Sequence, residues 1–528
     1  MMAFGRSFPF VAPCLAIFLL LIVSSLAEKA QYNSFAKDAT SASAVAGHYD
    51  YIVIGGGTAG CCLAATLSAS AKVLLLERGG LPYHNPNIMH QSGLVPVLFD
   101  TSQTSAAQHF GSTDGTLLTR ARILGGGSAI NAGVYSRASN EEVAEEGWDP
   151  HLVNQSFLWV KRKLTSRIKT LLKWQTAVRD GLVEAGVEPY NGGTYEHLVG
   201  TKIGNSLFDE DGYRHSAADL LEGKPTANGV LFKDSKGNDH TAFLNGGPKN
   251  EIILSAGAIG SPQLLMLSGI GPSDHLKAQG IDVVLDQPMV GKLMGDNPVN
   301  AILIPSIRPI EASISDVLGI TRLGNYIETV SGLTLVPKAI EVLTQAGVDM
   351  SFPHMKMQGG LLNSKVSKIF SQGHMEIKNK DPNDNPTVTF NYFQDSRDLR
   401  TCVRGMEVLK KVFESEALAS FRNPSASFES ILDLMSSIPI NQRPKHRVES
   451  ASLEQFCVDN MFSSWHYHGG CRVDSVVDRD YKVIGVDALR VVDASIFPSA
   501  LGTNPQATTM MFGRYMGLKI LRHQSTSE

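Results

Sequence analysis

Residues 50–54 (DYIVI) are apolar at every position after the first, the pattern of a strand covered on both faces in a parallel sheet. A glycine turn follows. Small residues from Thr58 to Ser68 then predict a helix, and Lys72 to Leu76 predict a second buried strand. Residues 250–271 (NEIILSAGAIGSPQLLMLSGIG) repeat the order of buried strand, glycine turn and apolar helix. Residues 488–499 (ALRVVDASIFPS) supply a further strand running into a turn. These three segments lie far apart in the chain. They can share one sheet only if the stretches between them are excursions into a second domain.

From about residue 300 to 455 the texture changes. RDLRTCVRGMEVLKKVFES (397–415) has helical spacing, whereas GHMEIKNK (373–380) and PTVTFNYF (386–393) read as strands. Within the former, HMEIKNK alternates as a half-exposed strand should, which predicts an antiparallel sheet with one wet face.

The 528 residues exceed what one ordinary core accommodates, so two domains are expected. An apolar content of 43% with 19% charged residues describes a globular chain. The net charge of −4, with no basic stripe interleaved with aromatics, excludes a nucleic-acid partner. At the N-terminus, Arg6 precedes an apolar run from Leu15 to Val23 and the small-residue site Ser25-Leu26-Ala27, which reads as a signal peptide. Pro9, Pro13 and the short run argue against an anchor, since a span needs roughly 20 apolar residues. Secretion is therefore expected, with no membrane span after cleavage. Asn154-Gln155-Ser156 is a glycosylation sequon, usable only if exposed. Cys61, Cys62, Cys402, Cys457 and Cys471 remain after the leader, an odd number that leaves at least one thiol unpaired within the chain.

The turn after the first strand carries the candidate chemistry. Gly55-Gly56-Gly57-Thr58-Ala59-Gly60 fits G-x-G-x-x-G between a buried strand and a helix, and Glu77 ends the next strand. Glycines there let the backbone approach a pyrophosphate at a helix N-terminus, and the acid accepts hydrogen bonds from ribose hydroxyls. This half-site points to a dinucleotide without separating NAD from FAD.

RARILGGGSAINAGVYSR (120–137) and GAIGSPQLLMLSGIG (257–271), together with the 55–80 unit, resemble the two signatures of the glucose–methanol–choline (GMC) oxidoreductases. The resemblance runs from about residue 48 to 523 and is greatest to the plant Hothead-type and mandelonitrile lyase-like branch. It implies an α/β fold: a Rossmann-like, two-half FAD-binding domain with a second α+β substrate domain built on an antiparallel sheet. On that plan residues 1–27 are the signal peptide and 28–47 a linker. Residues 48–150, 201–300 and 456–523 form the FAD-binding domain, 301–455 the substrate domain, and 151–200 a substrate-domain or connecting segment.

Carried over motif by motif, the resemblance implies FAD contacts from Gly55, Gly57, Thr58, Ala59 and Gly60, and ribose contacts from Glu77 and Arg78. It assigns Ile123, Gly127, Asn131, Ala132, Gly133 and Val134 to the pyrophosphate and flavin, and Asp493 and Ala494 to the ribityl chain or phosphate. Ile130 stands where some relatives tether the flavin through a histidine, so the FAD is expected to be noncovalent. In SSWHYHGGC (463–471) the family's active-site histidine lies five residues before the Cys, which selects His466, after Trp465, over His468. Asn504 in GTNPQAT is the catalytic partner, with Pro505 and Gln506 against the flavin. A small-molecule alcohol is the implied substrate, with His466 as base and Asn504 as alkoxide partner; no metal is called for. The same resemblance implies a Cys402–Cys457 disulfide.

Two departures matter. Hydroxynitrile lyases of this branch carry His where Asn504 stands and Tyr where Ser464 stands, so alcohol oxidation is favoured over the lyase reaction. The Hothead-type pattern implies a long-chain ω-hydroxy fatty acid of the cuticle. RHSAADLLEGKPTANGVLFKD (214–234) joins, near Leu221–Lys224, two pieces that the family separates by a strand pair. Weaker FAD affinity, poor folding or a gene model that skips an exon are the expected outcomes, and a truncated, impaired chain lacking FAD is the alternative function.

Overall fold

The structure, a computed structural model, describes residues 47–221, 231–233, 239–247, 249–306, 308–334, 358–438, 440–445 and 452–525. The expected signal peptide, most of the expected linker and most of the shortened junction lie outside the described residues. In chain order, the principal elements begin with β1 (Tyr51–Ile54), α1 (Thr58–Leu67), β2 (Val73–Leu76), α2 (Pro150–Leu164), α3 (Lys173–Glu184), β3 (Tyr190–Gly193) and β4 (Gly200–Ile203). They continue with β5 (Glu251–Leu254), α4 (Gly257–Leu267), β6 (Lys292–Met294), β7 (Pro298–Ser306), β8 (Val317–Ile320), β9 (Asn325–Thr334) and β10 (Gln358–Val366). Last come β11 (Gly373–Glu376), β12 (Thr387–Thr389), α5 (Ser396–Glu414), α6 (Leu453–Asn460), β13 (Phe462–Ser463), β14 (Leu489–Val491) and α7 (Gln506–Ser525).

The three distant segments do share one parallel sheet, in the order β14–β5–β1–β2. Tyr51, Ile52 and Val53 are wholly buried, as an apolar run flanked by strands on both sides requires. The small residues of α1 admit α7 at close range: a Cβ on Gly513 would sit 2.3 Å from the Ala59 carbonyl oxygen. Side chains on α1 are therefore small because two helices and a sheet meet there.

The second sheet runs β13–β7–β10–β9–β8–β4–β3 and is antiparallel except between β3 and β4. Ile302, Ile304, Ile327, Leu362 and Val366 on one face pack with Trp174 of α3 and with Met406 and Leu409 of α5. On α5, Asp398, Cys402, Met406, Leu409 and Phe413 form a buried stripe at helical spacing, and Asp395 caps the start by accepting from the Arg397 amide. The 374–380 stretch is shorter as a strand than its alternation predicts. It ends at Glu376 and pairs as β11 with β6 and β12 in a separate three-stranded sheet. Phe462–Ser463, read from sequence as part of the cofactor-side segment, instead forms the edge strand of the antiparallel sheet. Cys402 and Cys457 are bonded, tying α5 to α6 just before that edge strand, while Cys61, Cys62 and Cys471 are free and buried.

Candidate active site

All four parallel strands end at one cavity of about 2070 Å³. Gly55 and Gly57 follow β1, Glu77 and Arg78 follow β2, Ser255 to Gly257 follow β5, and Asp493 and Ala494 follow β14. Ligands of open α/β sheets bind beyond the carboxyl ends of the strands, and this volume exceeds that of an ordinary small-molecule pocket.

Gly55 adopts φ 107°, and a Cβ there would lie 2.4 Å from the Ser255 carbonyl oxygen, so no other residue fits. Gly57 caps α1 without a side-chain hydrogen bond, which leaves the first-turn amides free for an anion. Built-in Cβ atoms on Gly57, Gly127 and Gly257 would project into open space or meet nothing closer than 3.7 Å, and all three residues line the cavity. Backbone donors and bare glycines around a helix N-terminus fit the pyrophosphate of FAD. Gly60, by contrast, does not line the cavity. Its Cβ would meet the Gly55 carbonyl oxygen at 2.0 Å, so it serves the packing of helix against turn and not cofactor contact.

Glu77 accepts from the Gly56 amide at 2.9 Å and the Gly79 amide at 2.7 Å, and burial raises its pKa. A carboxylate offers about four lone-pair sites, so it can hold its own turn and still accept from a ribose. Asp493 is more fully committed: Gly257 N at 2.9 Å and Ser261 Oγ at 2.5 Å donate to one oxygen, and Ser495 N at 2.8 Å donates to the other. It fastens the second glycine turn to the end of β14. Asn131 Nδ2 donates to Gln506 Oε1 at 2.8 Å, and Gln506 Nε2 donates to the Val134 carbonyl, so the 131–134 turn and the start of α7 form one wall. Ile123, Ala132, Gly133, Trp465 and Pro505 also line the cavity.

The other wall is the loop after β13. Asp296 is 1% exposed and accepts from Ser463 Oγ at 2.6 Å, Tyr392 Oη at 2.6 Å and the His466 amide at 2.8 Å. Burial still pushes its pKa up to about 6. Trp465 takes φ 57°, a left-handed conformation that a bulky side chain holds only when its surroundings fix it, and the Asp296 bonds do so. The turn directs His466 and Tyr467 to the cavity, whereas His468 is buried behind it and has exchanged backbone hydrogen bonds with Gly295. His468 Nδ1 lies 3.0 Å from the His466 carbonyl oxygen, and burial takes its pKa down to about 4.

His466 Nδ1 is buried without a hydrogen-bond partner, and so is Asn504 Oδ1; both residues line the cavity. Burial first, then the charge of Lys365 and the neighbouring His468, hold the His466 pKa well below the ordinary histidine value. The imidazole is therefore neutral at pH 7, the form that accepts a proton. Asp296, Tyr467, Lys365, Glu328 and Asn363 escape sequence reasoning because no local motif marks them. No motif guides the choice of residues on β9 and β10, and Asp296 meets His466 across a sequence separation of 170. Arg214 escapes it too: buried, it donates to the carbonyls of Ile88 and Ser128 and to Asn131 Oδ1, and so braces the 128–131 turn.

Comparison with known proteins agrees with this geometry. Two family models, both described as GMC oxidoreductase, match residues 49–187 with 213–299, and residues 370–513. The chain is 45% identical over 526 residues to Protein HOTHEAD of Arabidopsis thaliana, covering 90% of this chain and 88% of that protein. It is 43% identical to an Arabidopsis thaliana (R)-mandelonitrile lyase-like protein, covering 90% of each. It is 38% identical to Sinalpyl alcohol oxidase Nec3 of Nesocodon mauritianus, covering 91% of this chain and 90% of that one. The crystal structure of pyridoxine 4-oxidase from Mesorbium loti shares the fold, with a TM-score of 0.71 at 21% identity over 90% of this chain and 99% of the other.

Proposed function

Since the chain belongs to the GMC oxidoreductase family and its cofactor is FAD, we propose that it oxidises an alcohol, with His466 as proton acceptor and Asn504 as the partner of the same oxygen. The observation that carries this reading is that His466 and Asn504 line the same cavity as the glycine turns, and each has a buried polar atom that no other group of the protein engages. When bound, FAD supplies the acceptor for the hydride that leaves the alcohol carbon. The chain supplies the rest. The neutral His466 imidazole, which lines the cavity, takes the hydroxyl proton on a ring nitrogen. The Asn504 side chain, donating from its amide N–H, holds the oxygen and steadies its developing negative charge. Asp296, through the His466 amide, sets where the imidazole stands. Ile130 lines the cavity and has no nucleophilic atom, so it cannot tether the flavin, which supports noncovalent FAD.

A hydroxynitrile lyase is the second reading, because mandelonitrile lyase-like proteins are among the relatives. Against it, Asn504 cannot titrate, and the Ser464 hydroxyl is 3.4 Å from Asp296 Oδ1, committed to the loop. The long-chain ω-hydroxy fatty acid remains a substrate proposal that rests on resemblance to HOTHEAD alone. Residues 1–27 support secretion. Asn154 is exposed on α2 and open to glycosylation, although Ser156 is buried. Among the described residues no helix is long and apolar enough to cross a membrane.

The test is to mix FAD-loaded protein with primary alcohols in the absence of oxygen. Loss of the flavin's visible absorbance supports oxidation. Cyanide release from mandelonitrile without any bleaching by alcohols would replace this reading with the lyase.

A further inference from the structure

The antiparallel sheet turns one face to the cavity, and period-two alternation decides what it offers there. Val299 of β7, Glu328 and Val330 of β9, and Leu361, Asn363 and Lys365 of β10 all line the cavity. Register brings the polar members together: Glu328 stands opposite Asn363, and Tyr326 opposite Lys365. Lys365 Nζ donates to Glu328 Oε1 at 2.8 Å, with the two side chains 3% and 14% exposed. The Asn363 amide is unpaired, its Oδ1 buried without a donor. The neighbours on the same face, Val299, Val330 and Leu361, are apolar.

A buried ion pair is weak evidence for stability, because well-packed apolar residues in its place are often no worse. Here an apolar wall would have sufficed for an apolar substrate, and the chain instead sets a carboxylate, an ammonium and a free amide side by side. The pair neutralises itself, so it does not call for a charged ligand. What remains unused is hydrogen-bonding capacity of both kinds: two ammonium protons and an amide N–H on one side, carboxylate and amide oxygens on the other. A hydroxyl, which donates and accepts, matches that set. A hydrocarbon tail would bury it without partners, at the cost of leaving donors and acceptors desolvated.

We propose that Glu328, Lys365 and Asn363 form a specificity platform that takes a second hydroxyl of the substrate, so that the preferred alcohols are diols or polyols. The proposal rests on the reading of this cavity as an alcohol site. It narrows the substrate to alcohols with a distal hydroxyl held against the sheet while the reacting one meets His466 and Asn504, and it displaces the ω-hydroxy fatty acid, which would set hydrocarbon and a carboxylate there.

The experiment uses FAD-loaded protein and two paired series, from butane to decane skeletons. One series compares primary mono-alcohols with the diols bearing a hydroxyl at each end, read as kcat/KM for flavin reduction. The other compares tertiary mono-alcohols with tertiary diols, which cannot yield a hydride, read as dissociation constants from the perturbed flavin spectrum. At the best chain length the diol is expected to win by about ten- to a hundredfold in both readouts, the size of one charge-assisted hydrogen bond. Two variants lower that ratio towards one: Asn363→Leu, and the double variant Glu328→Gln with Lys365→Met, which avoids stranding a buried charge. Equal binding of diol and mono-alcohol at every length overturns the platform, as does a diol preference that both folded, FAD-loaded variants retain. If no alcohol bleaches the flavin while tertiary diols still bind more tightly than their mono-alcohols, the platform stands and the oxidation reading falls.

Discussion

At the scale of single residues, the two histidines of the SSWHYHGGC loop have opposite surroundings although one residue separates them. His466 fronts the cavity with no hydrogen bond to Nδ1, and His468 is locked against Gly295. Replacing His466 by Ala should slow flavin reduction by about 10²- to 10⁴-fold, the usual size of a lost general base, with the flavin spectrum unchanged. Because the His466 pKa is lowered, its neutral form persists below the ordinary histidine range, so the acidic limb of kcat/KM should fall below pH 6.5. His468 is a stability group. Its pKa drops from 6.5 to about 4 on folding, so its contribution is full above 6.5 and is lost as pH falls towards 4. Between pH 7 and 5 this loss is about 2 kcal/mol, at about 1.4 kcal/mol for each pH unit. Thermal melts at the two pH values should therefore diverge less for His468→Gln, which keeps a donor to the His466 carbonyl.

At the scale of elements, the loop after β13 works because other elements hold it. Asp296 receives donors from the loop and from Tyr392. Asp296→Asn removes one acceptor oxygen from that set, and a misplacement near 1 Å is worth about a hundredfold in rate. Flavin reduction should fall by roughly ten- to a hundredfold in this variant while FAD stays bound; an unchanged rate would remove Asp296 from the account. The glycine turn offers the converse case. Gly57→Val has room in the backbone, with nothing within 3.7 Å of the Cβ, yet its branches enter the cavity. The variant should melt like the parent and be colourless. Sequence was a good guide to this turn, since strand, glycines and helix N-terminus are contiguous and follow from local rules. Gly60 differs from its expectation in not lining the cavity, because tight packing and cofactor approach both demand glycine. Sequence was a poor guide to β9, β10 and Asp296, whose roles arise from cross-strand register and long-range contact.

At the scale of the whole molecule, one cavity is lined from both the parallel sheet and the antiparallel one; on the proposed reading the first holds the cofactor and the second the substrate, and they meet at the loop that edge strand β13 delivers. The Cys402–Cys457 bond closes a loop of 55 residues just ahead of that strand, worth about 4 kcal/mol by loop-closure entropy. Alkylation should label neither cysteine before reduction, and reduction should lower the melting temperature. On the opposite side β2 pairs only with β1 among the described residues, and Leu74, Leu75 and Leu76 line the cavity at this edge. Weak retention of FAD is the expectation at this edge, checked by whether adding FAD to the stripped protein restores the flavin bands. The central claim is tested most directly by rapid anaerobic mixing of an alcohol with the FAD-loaded parent and with FAD-loaded His466→Ala, following the flavin's visible band. The parent should bleach rapidly and the variant hardly at all. Bleaching of both at the same rate would contradict the claim.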